Sequence, residues 1–301
     1  MKIVLFGRNG QVGRELEQSL PPLGTLMAFD RSQADLALPD SVAEVIRREQ
    51  PDIVVNAAAY TAVDKAESEP HLAQQINAEA VGIMAVEMAR LGGWLVHYST
   101  DYVFDGAKPG GYLETDATGP LSVYGATKLA GEALVAASGC QHLIFRTSWV
   151  YAAHGANFPL TILRLLRERQ ELAVVDDQIG TPTSAGLIAE VTAAAIGRLA
   201  GRDQPPPPSG IYHLTASGAT SWHGYAEFIA TIAQAAGLPL RVSPDAIRPI
   251  PSSAYPQSAR RPKNSRLDTG LVQSTFGISL PPWRDNVRQV VAALLPQLSS
   301  F

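Results

Sequence analysis

The run Lys2-Ile-Val-Leu-Phe6, followed at once by Gly7-Arg-Asn-Gly10-Gln-Val-Gly13, constrains this chain more than any other stretch. A short, nearly all-apolar segment stopped by glycine is how a strand buried on both faces of a parallel sheet reads. Helical periodicity follows from Arg14 to Leu20. Glycines at 7, 10 and 13 permit a tight turn, close approach of a pyrophosphate to the backbone, and packing of the helix on the strand. Strand, glycines and helix in that order mark a dinucleotide-binding unit; the alternative is a plain Gly-rich connection.

Further apolar runs at Thr25–Phe29, Asp52–Ala58, Trp94–Tyr98 and His142–Arg146 alternate with helical patterns near 41–50, 72–90, 157–170 and 184–199. That alternation predicts an α/β fold, a Rossmann-type doubly wound parallel sheet with a smaller C-terminal substrate-binding lobe. Residues 1–155, continued by about 178–215, are assigned to the sheet domain, and about 156–177 with 216–301 to the lobe. Pro205–Pro208 is a stiff linker, and no internal repeat is present. Ser221 caps a helix through Ala236, and another helix closes the chain near 283–295.

Open parallel sheets bind ligands at the C-terminal ends of their strands, which selects the candidate site residues. Asp30 ends the second strand, where an acid accepts a ribose 2'-hydroxyl, while its neighbour Arg31 suits a 2'-phosphate; NADH and NADPH both stay open. Asp35 and Leu36 stand where an adenine would lie, although a simple helix entry fits as well. The small residues Ala57, Ala58 and Ala59 leave room for a ligand against the backbone, and Tyr60 and Thr61 follow them. Ser99-Thr100-Asp101 at a strand end can orient a carbonyl or merely begin a loop. Trp149 packs against a sugar or base, or is a half-buried structural residue. His97 on an apolar strand reads as a core residue, and Asn77 as a helix-surface amide. The dense cluster Arg260-Arg261-Pro-Lys-Asn264-Ser-Arg266 suits phosphate, because guanidinium donors bind it in a bidentate fashion.

Tyr124-Gly-Ala-Thr-Lys128 supplies the chemistry. On a helix, residues four apart share a face, so the lysine ammonium approaches the phenol. Bringing a phenol from about 10 to neutrality takes about 3 units, or ~4 kcal/mol of preference for the phenolate. A neighbouring cation and a cofactor cation together are suited to supply it.

Composition narrows the partners. A net charge of −4 offers no basic footprint for nucleic acid or a membrane surface, and no apolar run reaches membrane length. Cys140 is the only cysteine, which leaves no disulfide framework and fits a reducing, cytoplasmic compartment. A small soluble ligand is the expected partner.

Taken together, the Gly7 loop with Gln11-Val12-Gly13, Asn56–Glu67, Ser99–Phe104, Tyr124–Lys128, Arg146–Tyr151, Thr181-Pro-Thr183 and Arg261–Leu267 span nearly the whole chain. In these segments it resembles the extended short-chain dehydrogenases/reductases, and among them the dTDP-4-dehydrorhamnose reductase family. The resemblance implies hydride transfer from NADPH or NADH to the C4 ketone of a dTDP-4-dehydro sugar, the last step towards dTDP-L-rhamnose. It implies Tyr124 as proton donor, Lys128 on the nicotinamide ribose, and Thr100 orienting the ketone. It further implies Asp101 and Trp149 on the substrate, with Gly10, Gln11, Val12, Asp30, Asp35, Leu36, Ala59, Tyr60, Thr61 and Tyr98 on the cofactor. Family members can carry Mg2+ between subunits through carboxylates, which implies a homodimer, and Glu15 and Glu190 fall at plausible positions; the third acid departs from the pattern, since Arg284-Asp285 displaces it by one. Two other readings use the same fold: a nucleotide-sugar epimerase or dehydratase that retains its NAD, and a non-catalytic nucleotide-binding regulatory subunit.

Overall fold

The computed structural model describes residues 1–200 and 205–298. The first five strands are β1 (Lys2–Phe6), β2 (Thr25–Phe29), β3 (Ile53–Asn56), β4 (Trp94–Thr100) and β5 (Gln141–Thr147). With Gly210–His213 they form one six-stranded sheet, parallel throughout, in the order Gly210–His213, β5, β4, β3, β1, β2. This is the α/β, doubly wound Rossmann-type arrangement read from the sequence.

Alternation along the strands feeds two interiors. Ile3 and Leu5 of β1 face one core with Val55, Val96 and Leu143, while Val4 and Phe6 face the other with Val54, Leu95 and Ile144. All four of these β1 side chains are fully buried, each contributing roughly 1.5–3 kcal/mol of apolar transfer. Helix α1 (Gln11–Ser19) and the helix Ala185–Ala200 cover the first face. Helix α2 (Pro39–Glu49) and Ala80–Leu91 cover the second.

The first core continues without interruption into the C-terminal elements. Tyr225 and Ile229 of the helix Trp222–Ala235 and Trp283 and Val287 of Trp283–Leu298 belong to the same apolar cluster as Ile3 and Leu5. A short parallel pair, Leu172–Val175 with Ile247–Ile250, packs against the helix Trp222–Ala235 and adds Leu172, Val174 and Ile247 to this core.

Several boundaries differ from the sequence reading for identifiable reasons. Helix α1 starts at Gln11 rather than Arg14, because Gly10 is already its N-cap. Strand β3 stops at Asn56 rather than Ala58: the Asn56 side-chain oxygen accepts the Ala58 N–H at 3.1 Å and turns the chain out of the sheet. The helical pattern from 72 to 90 contains a π-helical turn, Gln75–Glu79. Asn77 within it is buried, not on the helix surface as its sequence position suggests.

The chain reverses its winding at β1, which lies between β2 and β3, so the loops leaving β1 and β3 open a crevice at that switch point. Backbone is packed there at contact distance. A Cβ on Gly7 would stand 2.7 Å from the Ala58 nitrogen, and one on Gly13 would stand 2.1 Å from the Gly7 carbonyl. Gly13→Ala therefore forces α1 off the β1 turn, and we expect an unfolding free energy lower by about 1–3 kcal/mol in urea titration. Unchanged stability would show that this contact does not set the helix position.

Candidate active site

A cavity of about 770 Å3 opens at the C-terminal ends of the strands, within the range of small-molecule and cofactor sites. Its walls bring together residues that are far apart in the chain. Gly7, Gly10, Gln11 and Val12 form one end with Asp30, Arg31, Asp35 and Leu36, followed by Ala59, Tyr60 and Thr61; Tyr98, Thr100, Asp101, Tyr124, Lys128 and Trp149 complete the other end. Gly13 is not in the wall; its role is the helix contact described above.

At the α1 end, Gly10 caps the helix with no side-chain hydrogen bond to the first-turn amides. Those free N–H groups and the missing Cβ atoms fit a pyrophosphate. Asp30 receives the Ser32 hydroxyl at 2.6 Å and the Ser32 N–H at 2.9 Å, which hold its carboxyl below the usual range. Its second oxygen has only a long contact, 3.4 Å, from Asn9. Arg31 is largely exposed and pairs with Asp35 at 3.2 Å. One acid and one largely exposed cation thus stand together at this end of the cavity.

The helix Val123–Ala137 carries the reactive pair. Ser122 caps it by accepting the Gly125 N–H at 3.2 Å, and Gly125 lets its first turn approach Tyr102, whose carbonyl would stand 2.2 Å from a Cβ. Burial pushes the Tyr124 phenol up to about 12, although Thr100 beside it pulls the other way. Burial brings Lys128 down to about 7, against the pull of Glu132. The lysine is 1% exposed; its Nζ donates to the Tyr98 carbonyl at 2.6 Å and lies 3.0 Å from His97 Nε2. Burial thus outweighs the Thr100 hydrogen bond at the phenol.

Thr100 donates its hydroxyl to Asp101 at 2.9 Å and accepts the Tyr102 N–H. Burial pushes Asp101 up to about 6. Ser99 and Thr147, on adjacent strand ends, also line the cavity, and their buried hydroxyls have no hydrogen-bond partner among the described residues. Polar groups left in this state point to a ligand that completes them.

Three braces hold these parts. Asn77 accepts the Tyr60 N–H at 2.8 Å, donates to the Tyr60 carbonyl at 3.1 Å, and donates to Thr127 at 3.2 Å. It thereby ties the loop after β3 to the helix of Tyr124. Arg146 of β5 grips Glu132 with two bonds, of 2.9 and 2.6 Å, and both side chains are about 3% exposed. Trp149 sits at φ 47°, a left-handed conformation that costs a non-glycine residue about 1–3 kcal/mol. Its ring stacks on Trp222 with centroids 3.5 Å apart and planes 6° from parallel, over Gly180, where any Cβ would collide with it.

The basic cluster lies outside the cavity wall. Arg261 binds Asp64 at 2.7 Å and neighbours Tyr102, which does line the cavity. Asn264 donates to the carbonyls of Lys108 and Gly110 at 2.6 and 2.7 Å, and Arg266 bonds Asn264 and the Pro109 carbonyl. These residues brace the loop 106–120, and Arg260 is exposed. Glu15 bonds His154 at 3.0 Å, Glu190 is exposed, Asp285 pairs with Arg288, and among the described residues no three ligands cluster.

Trp222, Asn9, Ser99 and Thr147 are wall residues that motif reasoning did not select. Ser99 was visible only as the first member of its polar triplet. Trp222 carries no local signal beyond following a helix cap.

Lys128 gives the first test of this geometry. An unfolded lysine binds its proton up to about 10.5 and the folded one only to about 7. Between those values the unfolded chain holds more protons, so stability rises with pH. The unfolding free energy of the wild type minus that of Lys128→Met should climb from pH 7 towards 10, by at most about 1.4 kcal/mol per unit. A difference that is flat across that window would show a lysine with an ordinary proton affinity.

Comparison with known proteins gives the family. The family model described as RmlD substrate binding domain matches residues 1–295. The chain is 51% identical over 298 residues to the dTDP-4-dehydrorhamnose reductase of Escherichia coli strain K12, covering 98% of each. It resembles the crystal structure of a dTDP-4-dehydrorhamnose reductase from Clostridium acetobutylicum with a TM-score of 0.89 and 34% identity, over 98% of this chain and 99% of that one. The Bacillus anthracis reductase, solved in complex with NADP, is 33% identical with a TM-score of 0.85, over 97% of this chain and 99% of that one.

Proposed function

The chain belongs to the RmlD substrate binding domain family of dTDP-4-dehydrorhamnose reductases, and on that premise we propose that it reduces the C4 ketone of dTDP-4-dehydro-β-L-rhamnose to dTDP-L-rhamnose with NADPH or NADH. The observation that carries this reading is the single cavity holding Thr100, Tyr124 and Lys128 together with the Gly7–Val12 turn. The reduced nicotinamide supplies the hydride; the protein supplies placement and the proton.

The amides of the first α1 turn and the Gly7 loop hold the pyrophosphate, and Asp30 or Arg31 meets the adenosine ribose or its 2'-phosphate. Lys128, anchored on the Tyr98 carbonyl, faces the nicotinamide ribose. Tyr124, held fully protonated at neutral pH by its burial, gives its proton to the ketone oxygen while Thr100 orients that oxygen. The phenolate left behind is compensated by a positive charge on Lys128, one helical turn away. Asp101 and Trp149 contact the sugar, and the Arg260–Arg266 segment shapes the diphosphate side through the loop that it braces. A soluble nucleotide-sugar substrate and a cytoplasmic location accompany this reading; among the described residues no helix is long and apolar enough to cross a membrane.

The direct test supplies the enzymatically generated 4-keto sugar nucleotide with NADPH or NADH, following loss of the reduced cofactor and identifying the sugar formed. Stoichiometric oxidation with appearance of dTDP-rhamnose is expected, and binding of NADPH without turnover would remove the activity. In Tyr124→Phe we expect cofactor affinity near that of the wild type and kcat lower by roughly a hundredfold or more. Full activity in that variant would take the phenol out of the mechanism.

A further inference from the structure

We propose that His97 is a positioning residue for Lys128: Asn56 holds it in the tautomer protonated on Nε2, and in that form it donates to Nζ and keeps Lys128 an uncharged amine in the ligand-free protein. Donors and acceptors along one buried row pair in only this way. Asn56 and His97 are register partners on β3 and β4, and both are essentially inaccessible to solvent.

The Asn56 amide is oriented by its own turn. Its oxygen accepts the Ala58 N–H at 3.1 Å, so its NH2 faces His97 Nδ1 at 3.2 Å. An amide NH2 can only donate, so Nδ1 must accept. A neutral imidazole then carries its proton on Nε2, 3.0 Å from Lys128 Nζ. An ammonium has three donors and no lone pair, and would set donor against donor. An imidazolium fails for the same reason at Nδ1, where a second proton would meet the amide hydrogens. Only an amine closes every contact: its lone pair takes the Nε2 proton, and one of its hydrogens goes to the Tyr98 carbonyl at 2.6 Å.

The surrounding charges do not reverse this count. On its own helix Lys128 has Tyr124 one turn before and Glu132 one turn after, and Glu132 is engaged by both Arg146 bonds from β5. From β4 it meets His97 and the Tyr98 carbonyl, with Thr100 and Asp101 following at the strand end. Burial acts in the same direction, lowering both the lysine and the histidine. Asn56 and His97 thus do for the lysine what sequence reasoning assigned to no residue.

The bearing on catalysis rests on the reductase reading: the charge that stabilises the phenolate is acquired with ligands bound and is not stored beforehand. The protonation state itself does not depend on that reading, and neither does its test. Nitrogen NMR of 15N-histidine- and 15N-lysine-labelled, ligand-free protein should show His97 protonated on Nε2 and unprotonated on Nδ1 from pH 6 to 9. Lys128 should titrate well below the other lysines. In Asn56→Asp the new carboxylate accepts from Nδ1, the tautomer flips, Nε2 becomes an acceptor, and the Lys128 acid constant falls by about tenfold or more. A proton on Nδ1 in the wild type, an ordinary lysine titration, or an unchanged tautomer in a folded Asn56→Asp variant would each overturn the proposal. The wild-type spectrum decides even if that variant does not fold.

Discussion

The bond from Lys128 Nζ to the Tyr98 carbonyl joins the helix Val123–Ala137 to the end of β4, and the rest of the site is arranged around it. A lysine 1% exposed is costly if charged and hard to place if not, so it persists only where the surroundings satisfy it. Here a main-chain carbonyl and an imidazole do so, and both belong to the sheet. The lysine therefore fixes how far the helix stands from the strand ends, and with it where the Tyr124 phenol, one turn earlier, meets the cavity. The glycine turn after β1 reaches that cavity from the far side of β3.

Close approach of backbones does the remaining positioning. Gly7 and Gly13 let the first helix and the loop after β3 come to contact distance, and Gly131 lets the helix of Lys128 approach the Asn77 carbonyl, which would lie 2.3 Å from a Cβ. Where backbones do not suffice, buried polar groups take over. The Arg146–Glu132 pair is joined by two bonds, and losing either partner would leave an uncompensated charge, a loss of about 3–5 kcal/mol. Such a pair contributes little net stability over apolar packing, but it tolerates only one distance between β5 and the helix. Trp149 adds strain of its own, held by its stack on Trp222.

The parts legible in the sequence were those whose signal is local. Apolar runs stopped by glycine, the Gly7–Gly13 spacing and the Tyr124–Lys128 interval each state their geometry within a few residues, and the strands, the first helix and the reactive pair followed from them. Features that arise from contacts between distant segments were not legible. Asn77 reads as a surface amide because its helical position is polar, yet a π-helical turn rotates it onto Tyr60 and Thr127. The Arg260–Arg266 run reads as a phosphate site by density of charge, whereas several of its donors are taken up by Asp64 and by the carbonyls of the loop 106–120. His97 was correctly placed in the core, but its alignment between Asn56 and Lys128 is a property of sheet register that no single segment encodes.

The proposed reaction requires the nucleotide end and the phenol–lysine end of one cavity to serve a single transfer. The most direct measurement offers the 4-keto sugar nucleotide together with cofactor carrying deuterium at both nicotinamide C4 positions and locates the label in the product by NMR. One deuterium at the sugar C4 for each cofactor oxidised is the predicted result. Cofactor bound but never oxidised, or a sugar altered without gaining the label, would contradict it.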